Sequence, residues 1–333
     1  AASATNRSAA PLARLAGRRS TRLALPTVFA IAVVVAPQAY FELVSRGEFT
    51  GSFWAFYPRY LDFGSGFSIV TPTWNHLWYV VYILTYTLLL IPAARPLSRF
   101  MMGRGGAVTA AAFGGSLGVL VALSVLALPQ IAIDLSLADR YPVTHNLVAD
   151  WATHAHCLTV FLLGFALAKD HAFWRAIDRG TGAMVVLAIV LTLIFAAFWL
   201  NWDEVRSTVV ASPLLSAVVR ALRIVAAWAT IFALLGLAQR YLDRPSRALA
   251  YATEAVFPWY ILHQTILIAA GVWLTALGLP AIAEAALLLV CVVLGCALLH
   301  ELAIRRIPFL RPLFGLRRAR KKPARPIAIG RSQ

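Results

Sequence analysis

Eight apolar runs dominate this chain, most of them close to the ~20 residues a helix needs to cross a bilayer. They fall at 23–44, 76–92, 106–129, 151–168, 183–200, 212–238, 250–274 and 279–304. A backbone in hydrocarbon must satisfy its own hydrogen bonds, so runs of this kind fold as helices. The expected fold class is all-α: a polytopic membrane helix bundle with about eight transmembrane helices and both termini cytoplasmic. Only 13% of the 333 residues are charged, against about a quarter in a soluble domain. That leaves no sizeable soluble domain. Three segments follow: a basic cytoplasmic N-terminal segment at 1–22, a transmembrane domain at 23–304, and a basic cytoplasmic tail at 305–333 that drifts into disorder.

Charge sets the orientation. With the N-terminus inside, the inner segments are 1–22, 93–105, 169–182, 239–249 and the tail, and they hold 24 of the 30 Lys and Arg. The outer loops hold Arg46, Arg59, Arg140 and Arg206, and Arg220 and Arg223 lie within a run. The positive-inside rule fits at every loop. The formal charge of +16 is therefore read as topology and attraction to anionic lipid at the inner membrane face. Nucleic acid is not an expected partner.

Several features carry structural readings. The basic start, apolar stretch and Ala36-Pro37-Gln38-Ala39 resemble a signal peptide. We read a retained helix, because the apolar character continues past that point. Cys157, Cys291 and Cys296 sit in apolar runs without a C-x-x-C, so neither disulfide nor zinc is expected. Gly114 and Gly118 form a G-x-x-x-G, expected to pack helices closely. The outer loop 45–75 is rich in aromatic residues, which suit a membrane-surface belt and would also suit stacking on a sugar.

Ionisable residues inside membrane runs are costly and are site candidates by default. His76 opens the second run between Trp74 and Trp78, either as an interfacial or as a functional histidine. Asp150 and His154 share one helix face, where a carboxylate could orient an imidazole and raise its basicity; a helix-end contact is the plainer reading. His156 lies about 200° round the helix from His154, a poor metal pair. Arg220 and Arg223 lie roughly 12–17 Å into the sixth run, where they need an anion or an ion pair with Glu254 or Asp150. Glu254, Tyr260 and His263 accompany Pro258, which should kink the seventh helix; they form either a bonded core cluster or a chemical site. Glu284 and His300 receive no specific role.

The strings Asn75-His76-Leu77-Trp78-Tyr79 and Pro258-Trp259-Tyr260-Ile261-Leu262-His263, with FWAFYPRYL upstream, resemble the bacterial integral-membrane acyltransferase family, type 3. The nearest likeness is to its glucan biosynthesis protein C group, which succinylates periplasmic glucans. His76, Trp78, Glu254, Pro258, Tyr260 and His263 match the pattern. The resemblance implies ten helices, two of them ahead of the first run here, with a catalytic Arg and His on the first. Residues 1–22 hold no such run, so a fragment, a shifted start or a degenerate member is expected.

The resemblance implies a membrane O-acyltransferase that moves an acyl group, succinyl or acetyl, from acyl-CoA to a hydroxyl of an extracytoplasmic glycan in the bacterial cytoplasmic membrane. The expected catalytic set is His76, His154, Asp150 and His263. The expected substrate-binding set is Arg220, Arg223, Glu254, Tyr260 and Trp78. No bound cofactor and no metal are expected. The rivals are a transporter of a small anionic substrate, which would suit charged residues beside a Pro-broken helix, and a catalytically inactive remnant of the family.

Overall fold

The structure, a computed structural model, describes residues 23–63 and 66–317. The basic segment 1–22 and most of the tail lie outside the described residues. The described chain is helical, in the order α1 (Leu23–Ser45), α2 (Phe53–Tyr60), α3 (Asn75–Phe113), α4 (Gly118–Leu137), α5 (Trp151–Leu167), α6 (His171–Leu200), α7 (Trp202–Ala211), α8 (Pro213–Tyr241), α9 (Arg247–Thr275), α10 (Ala281–Ile304) and α11 (Leu310–Leu313). Seven of these, α1, α3, α4, α6, α8, α9 and α10, are long and apolar enough to cross a membrane. The remaining expected run is α5, with 17 residues. At ~1.5 Å per residue it spans about 25 Å, short of the ~30 Å hydrocarbon core. This is a polytopic helical membrane protein.

Local chemistry starts these helices. Ser52, Asp170 and Ser212 each accept a backbone N–H from the first turn of α2, α6 and α8, and Pro213 follows Ser212 at the first helical position. The helices outrun the apolar runs. Residues 93–105, expected as an inner loop, continue α3 through Pro92 and Pro96, and the chain bends at Gly103 within a π-helical turn. Hydropathy marks the part of a helix that suits lipid, not its full length. Gly114 and Gly118 correct another expectation. A Cβ at either would strike the carbonyl of Ala110 or Phe113 in its own segment. These glycines serve the tight passage from α3 to α4.

The chain divides into two compact units. One comprises 78–249. Its core is formed by α4, α6 and α8, with Leu123, Ile177, Met184 and Phe232 buried among them. Two close approaches set this packing. A Cβ on Gly180 of α6 would lie 2.5 Å from Val119 of α4, and one on Gly236 of α8 would strike Thr181 of α6. The Thr181 hydroxyl is itself bonded to the carbonyls of Ile177 and Asp178. Leu193, Ile194 and Leu234 stay exposed, as lipid-facing positions should.

The other unit comprises 23–77 and 250–317. Ala30, Val35, Leu77, Ile261, Cys296 and Phe314 share one core. The aromatic loop builds a second: Phe49, Phe56 and Tyr60 bury against Ala36, Ala39 and Leu43 of α1. Most of its rings therefore pack on one another, and Trp54 and Phe63 are the large rings left open, at 78% and 87% exposure. The stretch that resembles a cleavage site is buried within α1, with Ala36, Gln38 and Ala39 all at 1% exposure or less.

The close approaches give a direct test. Gly180→Ala and Gly236→Ala should each cost about 1–3 kcal/mol through overpacking, read as a lower midpoint of thermal unfolding in detergent. Gly182 has open space where its Cβ would be, so Gly182→Ala should leave stability unchanged or raise it by up to ~1 kcal/mol, read as an equal or higher midpoint.

Candidate active site

In the second unit, Leu77 and Ile261 bury in the same core, and this brings His76 at the start of α3 beside the middle of α9. The rings of His76 and His263 stand perpendicular, 5.3 Å between centroids. Both imidazoles reach one acceptor. His76 Nε2 is 3.1 Å and His263 Nδ1 2.8 Å from the backbone oxygen of Tyr260. The Tyr260 hydroxyl donates back to the carbonyl of His76. His76, expected by itself, joins Tyr260 and His263 in one contact cluster, and Glu254, expected with them, does not.

A carbonyl only accepts, so the nitrogen facing it must carry the proton. His263 Nδ1 faces the carbonyls of Tyr260 and Trp259 and is therefore the N–H. Its Nε2 holds the lone pair, and no hydrogen bond engages it among the described residues. This is the arrangement of a general base: one nitrogen oriented by a fixed acceptor, the other open.

The first unit holds Asp150 and His154, and here the expected pairing does not form. Asp150 accepts from the Thr153 hydroxyl at 2.8 Å, the Tyr82 hydroxyl at 2.9 Å and the backbone N–H groups of His145 and Thr144 at 3.0 and 3.3 Å. It ties the loop before α5 to α3. Loop N–H groups need an acceptor once buried, and they win the carboxylate. His154 is closed at both nitrogens: Nε2 donates to the Leu147 carbonyl at 2.8 Å, and Nδ1 accepts from the Tyr86 hydroxyl at 2.7 Å. Tyr82 stacks on its ring at 4.3 Å. Trp78 is covered on one side by His145, stacked at 4.3 Å.

Arg220 is also committed. Its Nε donates to Asp134 at 2.6 Å, and Nη1 donates to both oxygens of Asp139 at 2.9 and 3.0 Å. Its Nη2 takes the Asp134 carbonyl. Its partners are therefore Asp134 and Asp139, not Glu254 or Asp150. Asp139 follows the end of α4, so Arg220 is held at that helix end. Arg223 also pairs with Asp134, more loosely at 3.8 Å, with its side chain 67% exposed.

Glu254 pairs with Arg305 at 3.1 Å, and Arg305 also holds Glu301. It belongs to a charged cluster with Arg305 and Glu301 at the end of α10. Near it, His300 is fully buried with both ring nitrogens unbonded among the described residues. No group of three or more His, Cys, Asp or Glu among the described residues is placed to hold a metal.

Residue-by-residue reading missed Gln38, Asn75 and Thr265. Gln38 is 1% exposed and bonds Thr265 at 2.7 Å and Asn75 at 3.1 Å, with His76 Nδ1 at 3.4 Å. A buried amide in an apolar run is a signal, and here it was absorbed by the resemblance to a cleavage site.

Seven helices long and apolar enough to cross a membrane, with an imidazole oriented by a backbone carbonyl on one of them, define a helical membrane protein. The model of the acyltransferase domain family, type 3, matches residues 2–301. The chain belongs to this family and is a membrane acyltransferase. No curated protein and no solved structure matches it.

Burial alone would raise the Asp150 carboxyl, but the bonds from Thr153, Tyr82, Thr144 and His145 outweigh it and hold the carboxyl below its usual value. The folded state therefore ionises more readily than the unfolded one. The contribution is complete above the ordinary carboxylate range near about pH 4 and is lost as pH falls through the folded value. Thermal unfolding followed from neutral pH down through that range should show this loss. Asp150→Asn should flatten the dependence, and Asp150→Ala should cost about 2–4 kcal/mol at neutral pH by stranding buried donors.

Proposed function

We propose that this chain is an O-acyltransferase of the bacterial cytoplasmic membrane that moves a succinyl or acetyl group from acyl-CoA to a hydroxyl of an extracytoplasmic glycan, as in the glucan biosynthesis protein C group. The observation that carries the reading is His263, with Nδ1–H held by a backbone carbonyl and Nε2 open. Family membership supplies the reaction class. The concentration of Lys and Arg in alternate loops supports the orientation.

In this reading Nε2 of His263 takes the proton from the acceptor hydroxyl as its oxygen attacks the thioester carbonyl. The tetrahedral intermediate collapses with cleavage of the C–S bond. The proton passes from the imidazolium to the departing thiolate, giving the ester and free CoA, and the histidine returns to its neutral form. Tyr260 positions both imidazoles through its carbonyl. Arg220 serves within its own unit by holding Asp134 and Asp139.

His263→Ala should lower acyl transfer by about 10²-fold or more in purified protein whose unfolding midpoint is kept. His154→Gln should retain activity within about tenfold, since both nitrogens of His154 are structural. The assay is mass spectrometry of extracytoplasmic glycans from cells with and without the gene, read for the mass of one acyl group. Equal activity in His263→Ala would remove His263 from the mechanism. Glycans unchanged by deletion, with uptake of a labelled anion into vesicles, would replace the reading with transport.

A further inference from the structure

We infer that Gln38 is a positioning residue that fixes the tautomer of His76 with its proton on Nε2, so that the imidazole pair presents a single base, Nε2 of His263. The inference rests on the acyl-transfer reading for its functional consequence. The tautomer itself is independent of that reading.

Hydrogen-bond direction fixes the assignment at one end, and the other end is consistent with it. At one end stands the Val34 carbonyl, at the close of a π-helical turn in α1. Pro37 has no N–H to give, and the Gln38 N–H bonds Val35 O. Val34 O takes the Thr265 hydroxyl at 2.6 Å. A carbonyl cannot donate, so Thr265 spends its only proton there and offers Gln38 an oxygen alone. The Gln38 atom 2.7 Å away must then be the amide nitrogen. The opposite end agrees. The Thr73 hydroxyl donates to Asn75 Oδ1 at 3.1 Å, leaving Asn75 Nδ2 to donate to Gln38 Oε1 at 3.1 Å.

With its amide so oriented, Gln38 turns its second N–H towards His76 Nδ1, 3.4 Å away. A donor there requires a lone pair on Nδ1. The proton then lies on Nε2, which faces the carbonyls of Tyr260 at 3.1 Å and Ile261 at 3.3 Å. The other tautomer would set N–H against N–H at Gln38 and lone pair against lone pair at Tyr260. A second proton on His76 would meet the same Gln38 donor. His76 is thereby kept neutral beside His263 at 5.3 Å, and the catalytic proton has one destination.

The test is nitrogen NMR of the ring atoms in full-length protein labelled at histidine, with His76 assigned by its loss in His76→Phe, alongside steady-state acyl transfer. In the wild type, His76 should show its proton on Nε2 and a lone pair on Nδ1. Gln38→Glu places an acceptor opposite Nδ1, so His76 should gain a proton there at neutral pH. In this variant kcat should fall at least about tenfold with KM for the acyl donor unchanged. A wild-type spectrum with the proton on Nδ1, which needs no variant to fold, would overturn the inference. So would Gln38→Glu with an unaltered His76 spectrum or full kcat. A wild type that transfers no acyl group would sink the functional reading and leave the tautomer result standing by itself.

Discussion

A polar side chain left unbonded in hydrocarbon costs several kcal/mol, and that cost decides where the polar residues of this chain end up. Most of those in the spanning helices find a partner within their own unit. Arg220 closes on Asp134 and Asp139, His154 on Leu147 and Tyr86, and Gln38 on Thr265 and Asn75. Once these bonds are made, the atoms still open carry the functional meaning. Among the described residues, Nε2 of His263 is such an atom.

The same cost explains the irregular backbone. Pro258 withholds an N–H from α9, and the π-helical turns of α1 and α10 displace the regular ladder. In α1 the irregularity lies beside a polar side chain that needs a carbonyl. Val34 O receives Thr265 and Tyr260 O receives two imidazoles. Carbonyls of spanning helices thus serve as fixed acceptors. They are well suited to setting tautomers, because they cannot reverse their polarity as an amide or hydroxyl can.

The fold was legible in the sequence because burial in lipid is a property of composition. Apolar runs reveal themselves one segment at a time, and all eight correspond to helices. The limits were those of hydropathy: it did not see that α3 continues through 93–105, or that Gly114 and Gly118 belong to a turn. Close approaches such as Gly180 on Val119 depend on which helices meet, which no single segment encodes. The site was legible in part. His76, Tyr260 and His263 were selected by residue type and by resemblance, and they do come together. The Asp150 to His154 pair was drawn from helical spacing alone. Spacing states which side chains can meet, but competing donors decide which do, and the loop at 144–145 supplied them.

His154 and His263 show how little residue type says about chemistry. Each is an imidazole in an apolar helix with one nitrogen donating to a backbone carbonyl. They differ only at the second nitrogen, where Tyr86 gives His154 a hydroxyl proton at 2.7 Å and no such donor faces His263 among the described residues. A histidine bonded at both nitrogens is a strut between helices, and protonating it would break a bond already made. A histidine bonded at one can take a proton without losing anything. In a membrane interior, where each hydrogen bond is costly to break, that difference separates a structural histidine from a base. It is also why fixing His76 in one tautomer matters: with Nδ1 facing the Gln38 donor and Nε2 tied to Tyr260, the neighbouring imidazole cannot compete for the proton.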